Sequence, residues 1–334
     1  MPEIPLTTAS LAAFHAIPTS SDIPDRTKHA FAASQPAQTK HRVDIIDAWG
    51  GKRVFEGMSV LELGCGQGDA SVALAAAVSS DSRDGHVVAW DPAEGTYGAP
   101  LTLTQAQQNI LSHPHLAPLL SFSLTTPLSS VLRPSVDTYQ IATLIHSIYY
   151  FPSPSALLQT LTDLHAHTPP IKTLLIAEHG LHASRVDQQA HLLAVLAQAG
   201  LESLRAEGES TANIRTVLAP EGMRAVAAQA GWRVVREKMV TPDLELQDGR
   251  WEVGTVVSRG WLDEVDSVLD HAQAGLEKGA GREKAWIRAT RDSVKAAMEG
   301  VAAAKRENEG QAWTGKPLSL VRNMDVWCAV FERQ

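Results

Sequence analysis

Cysteine is almost absent: Cys65 and Cys328 are the two thiols in 334 residues. Two thiols exclude a disulfide framework and a four-cysteine zinc site, and they fit a reducing compartment. No apolar run approaches the roughly eighteen residues that a bilayer crossing needs. Residues 1–14 contain Glu3 and no basic residue, so they do not read as a secretory signal. A cytoplasmic protein is the expectation. Basic residues are in deficit, 29 Lys and Arg against 37 Asp and Glu, which leaves a net charge of −8. Nucleic acid and anionic membranes are therefore not expected as partners, because both call for a basic surface. The 13 histidines are scattered and include no His-Glu-x-x-His pair. No spacing suggests a metal site, and none is expected.

What is present is an ordinary globular balance, 44% hydrophobic and 20% charged, in a chain long enough to bury a core without staples. Residues 1–50 are rich in Ala, Pro, Ser and Thr and carry two helical patterns, at 8–16 and 39–49. In the second, Val43, Ile46 and Trp49 fall on one face and Gly50-Gly51 stops the helix. Short apolar runs at 58–63, 86–90, 119–124, 139–145 (preceded by Asp137) and 173–177 read as strands. Helical patterns at 70–78, 103–111 and 155–165 separate them. Further helices at 186–198 and 220–230 lead to a strand at 232–240. Amphipathic helices at 258–276 and 283–305 precede a last strand at 325–331. This alternation predicts one α/β domain with a seven-stranded, mostly parallel sheet and helices on both faces. Its parts are a helical cap (1–50), a core (51–242), a helical insertion or lid (243–320) and a last strand (321–334).

The strongest local signal is Val60-Leu61-Glu62-Leu63-Gly64-Cys65-Gly66-Gln67-Gly68-Asp69. A buried strand runs into three glycines at alternate positions and then into a helix. Glycine permits the sharp turn and the close approach of a ligand, and the helix start offers free N–H groups to an anion. A dinucleotide fingerprint needs a glycine at position 69, where Asp69 stands, and no Gly-Lys-Ser/Thr follows for a phosphate loop. The second strand ends at Asp91-Pro92.

Glu62-x-Gly64-x-Gly66-x-Gly68 resembles motif I of the class I S-adenosylmethionine-dependent methyltransferases, and the resemblance covers residues 55–180 and 223–234. It implies a Rossmann-like fold, S-adenosyl-L-methionine as cofactor and S-adenosyl-L-homocysteine as its product. Carried over, Gly64, Cys65, Gly66 and Gly68 lie along the methionine part, Glu62 supports its amino group, and Asp91 with the adjoining Pro92 meets the ribose. The stretch 121–126 has no acidic residue, which leaves the adenine contact unassigned.

Methyl transfer needs alignment and, for a hydroxyl or protonated amine, a base. Ligands of open α/β sheets bind at the carboxyl ends of strands. Those ends carry His146 and His179, the candidate catalytic residues, and Tyr149, Tyr150 and Glu178, the candidate substrate contacts. A Pro-Pro-Tyr/Phe motif of the kind used on exocyclic amines is missing; His146-Ser147-Ile148-Tyr149 stands in its place. No Pro-Cys pair offers a cysteine nucleophile. The resemblance therefore points to methylation of N or O on a small organic molecule, as in small-molecule methyltransferases of secondary metabolism, by a monomer or homodimer. A protein or RNA methyltransferase, and a cofactor-binding regulatory or scaffold protein, are the alternatives. Cys328 is expected in the core, and Trp251, Trp261, Trp286 and Trp313 are expected to pack helices.

Overall fold

The computed structural model describes residues 3–19, 21–80, 85–133, 138–205, 210, 212–273, 280–309 and 314–334. Asp137, Trp313 and the expected helix end at 274–276 lie outside the described residues. Two helices, α1 (Thr8–Ala12) and α2 (Asp25–Ala48), precede β1 (Ser59–Leu63). Alternation follows: α3 (Asp69–Val78), β2 (His86–Asp91), α4 (Leu103–Leu111), β3 (Leu120–Leu124), α5 (Leu128–Val131), β4 (Ile141–Ile145), α6 (Pro154–Ala166) and β5 (Thr173–His182). Then come α7 (Gln189–Glu202), α8 (Pro220–Gln229), β6 (Trp232–Val240), α9 (Asp248–Val257), α10 (Arg259–Gln273), α11 (Ala280–Glu309) and β7 (Asp325–Arg333).

The seven strands form one sheet in the order β3-β2-β1-β4-β5-β7-β6. The first five strands pair in parallel, and β7 runs antiparallel to both β5 and β6. The chain is thus the expected α/β fold with a mostly parallel sheet. Strand order reverses between β1 and β4, which opens a crevice at their carboxyl ends.

Burial on both faces explains the continuous apolar reading of the central strands. Val60, Leu61 and Leu63 of β1 are sealed, as are Leu144 of β4 and Leu174 and Leu175 of β5. One face packs on α3, where every residue from Ala70 to Val78 is buried. The other packs on α6 and α8 through Leu157, Leu161, Leu164, Met223 and Ala227. The Trp232 indole crosses to that layer and donates to the Leu161 carbonyl at 2.9 Å.

Besides the short α5, three elements differ from the sequence reading. Helix α2 starts at Asp25, well before residue 39, and carries Pro36 inside it. Its middle turns bury Ser34, Gln35 and Gln38, so no apolar stripe marks them. Its last turns do bury Ile45 and Ile46, followed by Trp49, against α3. Strand β5 runs past residue 177 to His182, because β7 continues the ladder beyond the end of β4. Between β6 and β7, α9 adds a helix that composition did not reveal.

The α9–α11 segment packs on α7 in a core of its own, built from Ala194, Leu201, Val253, Trp261, Ile287 and Val294. Trp261 is buried there as expected, whereas Trp251 and Trp286 remain 55% and 51% exposed. At its start, Asp248 accepts a hydrogen bond from Gln38 of α2 at 2.8 Å, which joins the insertion to the cap. Among the described residues, no helix is long and apolar enough to cross a membrane.

Ile45 is fully buried where α2 meets α3. Ile45→Ala is expected to lower the unfolding free energy by about 2–4 kcal/mol, measured by urea denaturation, since it leaves a cavity in a close-packed layer.

Candidate functional site

The glycine loop follows β1 directly, and its three glycines have different reasons to be glycine. All three have left-handed φ: 79° at Gly64, 53° at Gly66 and 94° at Gly68. A Cβ on Gly64 would stand 2.5 Å from the Cβ of Ser147, and one on Gly68 would stand 2.7 Å from Cδ1 of Ile110. Close packing demands those two. A Cβ on Gly66 would meet nothing within 4 Å, so that side of the loop is open to a ligand.

The Asp91 carboxylate at the end of β2 adjoins this open side. Its Oδ2 accepts from the Gly66 N–H at 2.9 Å, and its Oδ1 accepts from the Ala93 N–H at 2.9 Å. Pro92 beside it is exposed. Glu62 is sealed beneath the loop and accepts from the Ser71 hydroxyl at 2.6 Å, tying β1 to α3. Burial pushes its carboxyl up to about 7, with the Asp91 charge adding to the effect. The Cys65 thiol is buried, and burial raises it well above its ordinary range. The Gln107 amide donates to the Gly66 carbonyl at 2.8 Å and steadies the loop from α4.

Four histidines stack at the carboxyl ends of β4 and β5. His41 comes from α2, His146 follows β4, His179 lies in β5 and His191 lies in α7. Successive ring centroids are 5.0, 4.6 and 4.9 Å apart. His146 Nε2 is 2.8 Å from His41 Nε2, and His146 Nδ1 is 3.3 Å from Glu178 Oε1. Glu178 is turned inward. Its Oε1 accepts from the His179 N–H and its Oε2 from the Ile148 N–H, both at 2.9 Å. His191 Nδ1 accepts from the Met324 N–H at 3.0 Å. His146 has a left-handed φ of 52°, unusual for a residue with a Cβ, and its N–H donates to the Ala177 carbonyl at 2.8 Å.

Burial keeps these rings neutral. It lowers His146 to about 3, with the Arg42 cation adding to the effect, and His179 to about 4, with His146 adding to it. His41 and His191 are driven well below the ordinary histidine range by burial first and by their histidine neighbours second. His41 Nδ1, His179 Nδ1 and His191 Nε2 are buried without a hydrogen-bond partner among the described residues. Nε and Nη1 of Arg42 are likewise buried and unpartnered. The Arg42 charge bears on Glu62 under the glycine loop and on His41, His146 and His179, so both loop and cluster lie within its electrostatic reach.

The fold therefore brings His146, His179 and Glu178 together as one group, with Glu178 behind His146. Tyr149 joins them: it is buried and its hydroxyl donates to the His179 carbonyl at 3.4 Å. Tyr150 points away and is 46% exposed. His41, Arg42 and His191 belong to the site without any sequence signal, since α2 and α7 carry no motif around them. A buried polar face on a helix predicted to be a cap was the available hint.

A methyltransferase-domain family model matches residues 27–237. The chain is 27% identical over 313 residues to Methyltransferase phomM of Diaporthe leptostromiformis, an overlap of 83% of this chain and 73% of that protein. Methyltransferase phomM' of the same organism is 27% identical over 240 residues, 62% of this chain and 61% of that one. Among solved structures, the chain is similar to a cyclopropane-fatty-acyl-phospholipid synthase-like protein from Lactobacillus casei. That match has 26% identity and a TM-score of 0.67, and covers 97% of this chain and 98% of the other.

Two predictions follow from this geometry. Gly64→Ala should cost about 2–4 kcal/mol in urea denaturation, combining left-handed strain with overpacking against Ser147. Gly66→Ala, facing open space, should cost only about 1–2 kcal/mol from left-handed strain. The second prediction concerns pH. The histidines bind protons below pH 6.5 when unfolded but, when folded, only near pH 4 or lower for His146 and His179. Stability held at neutral pH is therefore lost as pH falls from about 6.5 towards 4. Glu62 and Glu178, whose carboxyls are raised, act in the opposite sense and offset part of this loss. Thermal midpoints should fall across that window. His191→Asn, which keeps an acceptor for the Met324 N–H, should flatten the slope.

Proposed function

Because the chain belongs to the methyltransferase-domain family, the class I S-adenosylmethionine-dependent methyltransferases, we propose that it methylates a nitrogen or oxygen of a small organic molecule and that the buried histidines receive the released proton. The observation that carries this reading is the contact between Gly64 and Ser147. It sets the cofactor loop beside the residue that follows His146.

When bound, the cofactor supplies an activated methyl group on a positively charged sulfur. The residues present fit it. Gly66 leaves an open cradle, and Asp91 offers a carboxylate at the strand end where a ribose diol would bind. The unpartnered Arg42 guanidinium fits a carboxylate, since a buried cation without a counter-charge is costly. Glu62 holds the loop through α3 and favours a cationic group nearby.

The chain's own work is orientation and proton handling. Glu178, held by two backbone N–H groups, accepts from His146 Nδ1–H and fixes that ring. His146 Nε2 then accepts from His41 Nε2–H. In this tautomer His146 is a positioning residue with no spare lone pair. The spare lone pairs are those of His179 Nδ1 and His41 Nδ1, both without partners. His179 is the catalytic residue in this reading: its neutral ring has a free lone pair, burial and His146 make it a weak base, and the Glu178 carboxylate beside it raises its proton affinity.

The −8 net charge and the meeting of cap and insertion at Gln38 and Asp248 favour an enclosed, small acceptor over nucleic acid. Tyr149 is proposed as part of the wall of that pocket.

Calorimetric titration tests the cofactor side. S-adenosylmethionine should bind at micromolar concentration and NAD should give no heat. Asp91→Ala and Arg42→Met should each weaken S-adenosylmethionine at least about tenfold, the loss of one charge-assisted contact. Unchanged affinity in both variants overturns the assignment. With any amine or phenol that releases S-adenosylhomocysteine, His179→Ala should lower kcat by about a hundredfold or more at similar KM.

A further inference from the structure

We propose that His146, Glu178 and His179 form a binding site for one divalent transition-metal ion of the zinc and cobalt class. The proposal does not rest on the methyl-transfer reading, since it concerns the donor set alone; an ion on His179 Nδ1 occupies the lone pair that reading gives to the base, so the two are alternative states of one cluster.

The sequence spreads these residues over 34 positions with no metal-binding spacing, and the fold collects them at the crevice. Their donor atoms lie within 4.8 Å of one another. His146 Nδ1 and Glu178 Oε1 are 3.3 Å apart. That is long for a hydrogen bond to a carboxylate, typically about 2.7–2.9 Å. It matches two ligands of one tetrahedral ion, which bonds at about 2.0–2.1 Å set neighbouring donors about 3.3 Å apart. The third donor is waiting: His179 is 8% exposed, and its Nδ1 has no partner among the described residues. A buried imidazole nitrogen left unbonded carries a desolvation cost that a metal bond removes.

The outer contacts of the three ligands are already made. Glu178 is held by the N–H groups of Ile148 and His179, each at 2.9 Å. His146 Nε2 faces His41 Nε2 at 2.8 Å. To bind the ion His146 takes the other tautomer from the one that donates to Glu178: its hydrogen moves to Nε2, is donated to His41, and the Nδ1 lone pair turns towards the ion. Ligating histidines are usually oriented by such a second hydrogen bond. The left-handed backbone of His146 aims the ring at this point at a conformational cost. Two imidazoles and one carboxylate suit zinc, cobalt(II) or iron(II). Magnesium and calcium prefer six or more oxygens, whereas this set offers a single carboxylate. The His146 side chain keeps 13% exposure, so a fourth coordination position faces the crevice, where an acceptor heteroatom or water can take it.

The test uses the full chain, freed of metal by a chelator and titrated with cobalt(II) chloride. One equivalent should bind with micromolar or tighter affinity and give the visible absorption of four- or five-coordinate cobalt, and zinc should displace it. His179→Ala and Glu178→Gln should each weaken cobalt binding by at least about tenfold, the range expected when a ligand is lost. His182→Ala, outside this ligand set, should leave it unchanged. Near-ultraviolet circular dichroism of the metal-free variants checks folding. If Glu178→Gln fails to fold, His179→Asn and His146→Asn replace it. Magnesium should neither bind nor compete. Absence of the cobalt band in wild type, or a band unaltered in His179→Ala, overturns the site. S-adenosylmethionine titrated into the metal-free protein reads the cofactor site separately, so failure of one assignment does not mask the other.

Discussion

The backbone at Gly64 lies against the Ser147 side chain, with no room for even a methyl group between them. β1 and β4 are neighbours at the point where strand order reverses, and their two connections meet there. The glycine loop can turn into α3 only because Gly64 has no Cβ. The segment after β4 can carry His146 and Ser147 only because that loop stays out of its way. Cofactor loop and histidine cluster are thus set by one steric contact rather than by two independent designs.

Around that contact, desolvation governs the chemistry. The sheet edge buries Glu62, Glu178 and four imidazoles among apolar side chains, and water is not there to solvate charge. Each ring is neutral, while Glu178 relies on backbone N–H donors to remain a useful acceptor. Arg42 is the exception: it is a cation, and its buried Nε and Nη1 stand unpaired among the described residues. Neutral rings beside a cation make a site that favours ligand anions and resists added positive charge.

Much of this was legible from residues 58–91, because glycine, apolar strand and terminal carboxylate are local signals with a fixed period. The motif required no tertiary information, and neither did the α/β class. His146 and Glu178 were visible as strand-end residues. Their pairing was not, because it depends on β5 continuing beyond β4 along β7, a strand almost 150 residues later. His41 was hidden more thoroughly. The middle of α2 buries Ser34, Gln35 and Gln38 instead of leucines, and the turns before it bury nothing. A helix that buries a polar face against a site looks, in sequence, like a helix that buries nothing. His191 was concealed by the opposite means, inside an alanine- and leucine-rich helix where one imidazole passes for packing.

The hydrogen bond between Gln38 and Asp248 joins two segments that are more than 200 residues apart in the chain, one before the sheet begins and one between its last two strands. A neutral donor on a carboxylate contributes roughly 1.5–3 kcal/mol. At this point the insertion is tied to the cap by a charge-assisted contact. The insertion can then change length and composition without disturbing the sheet, provided its first helix still brings a carboxylate to α2.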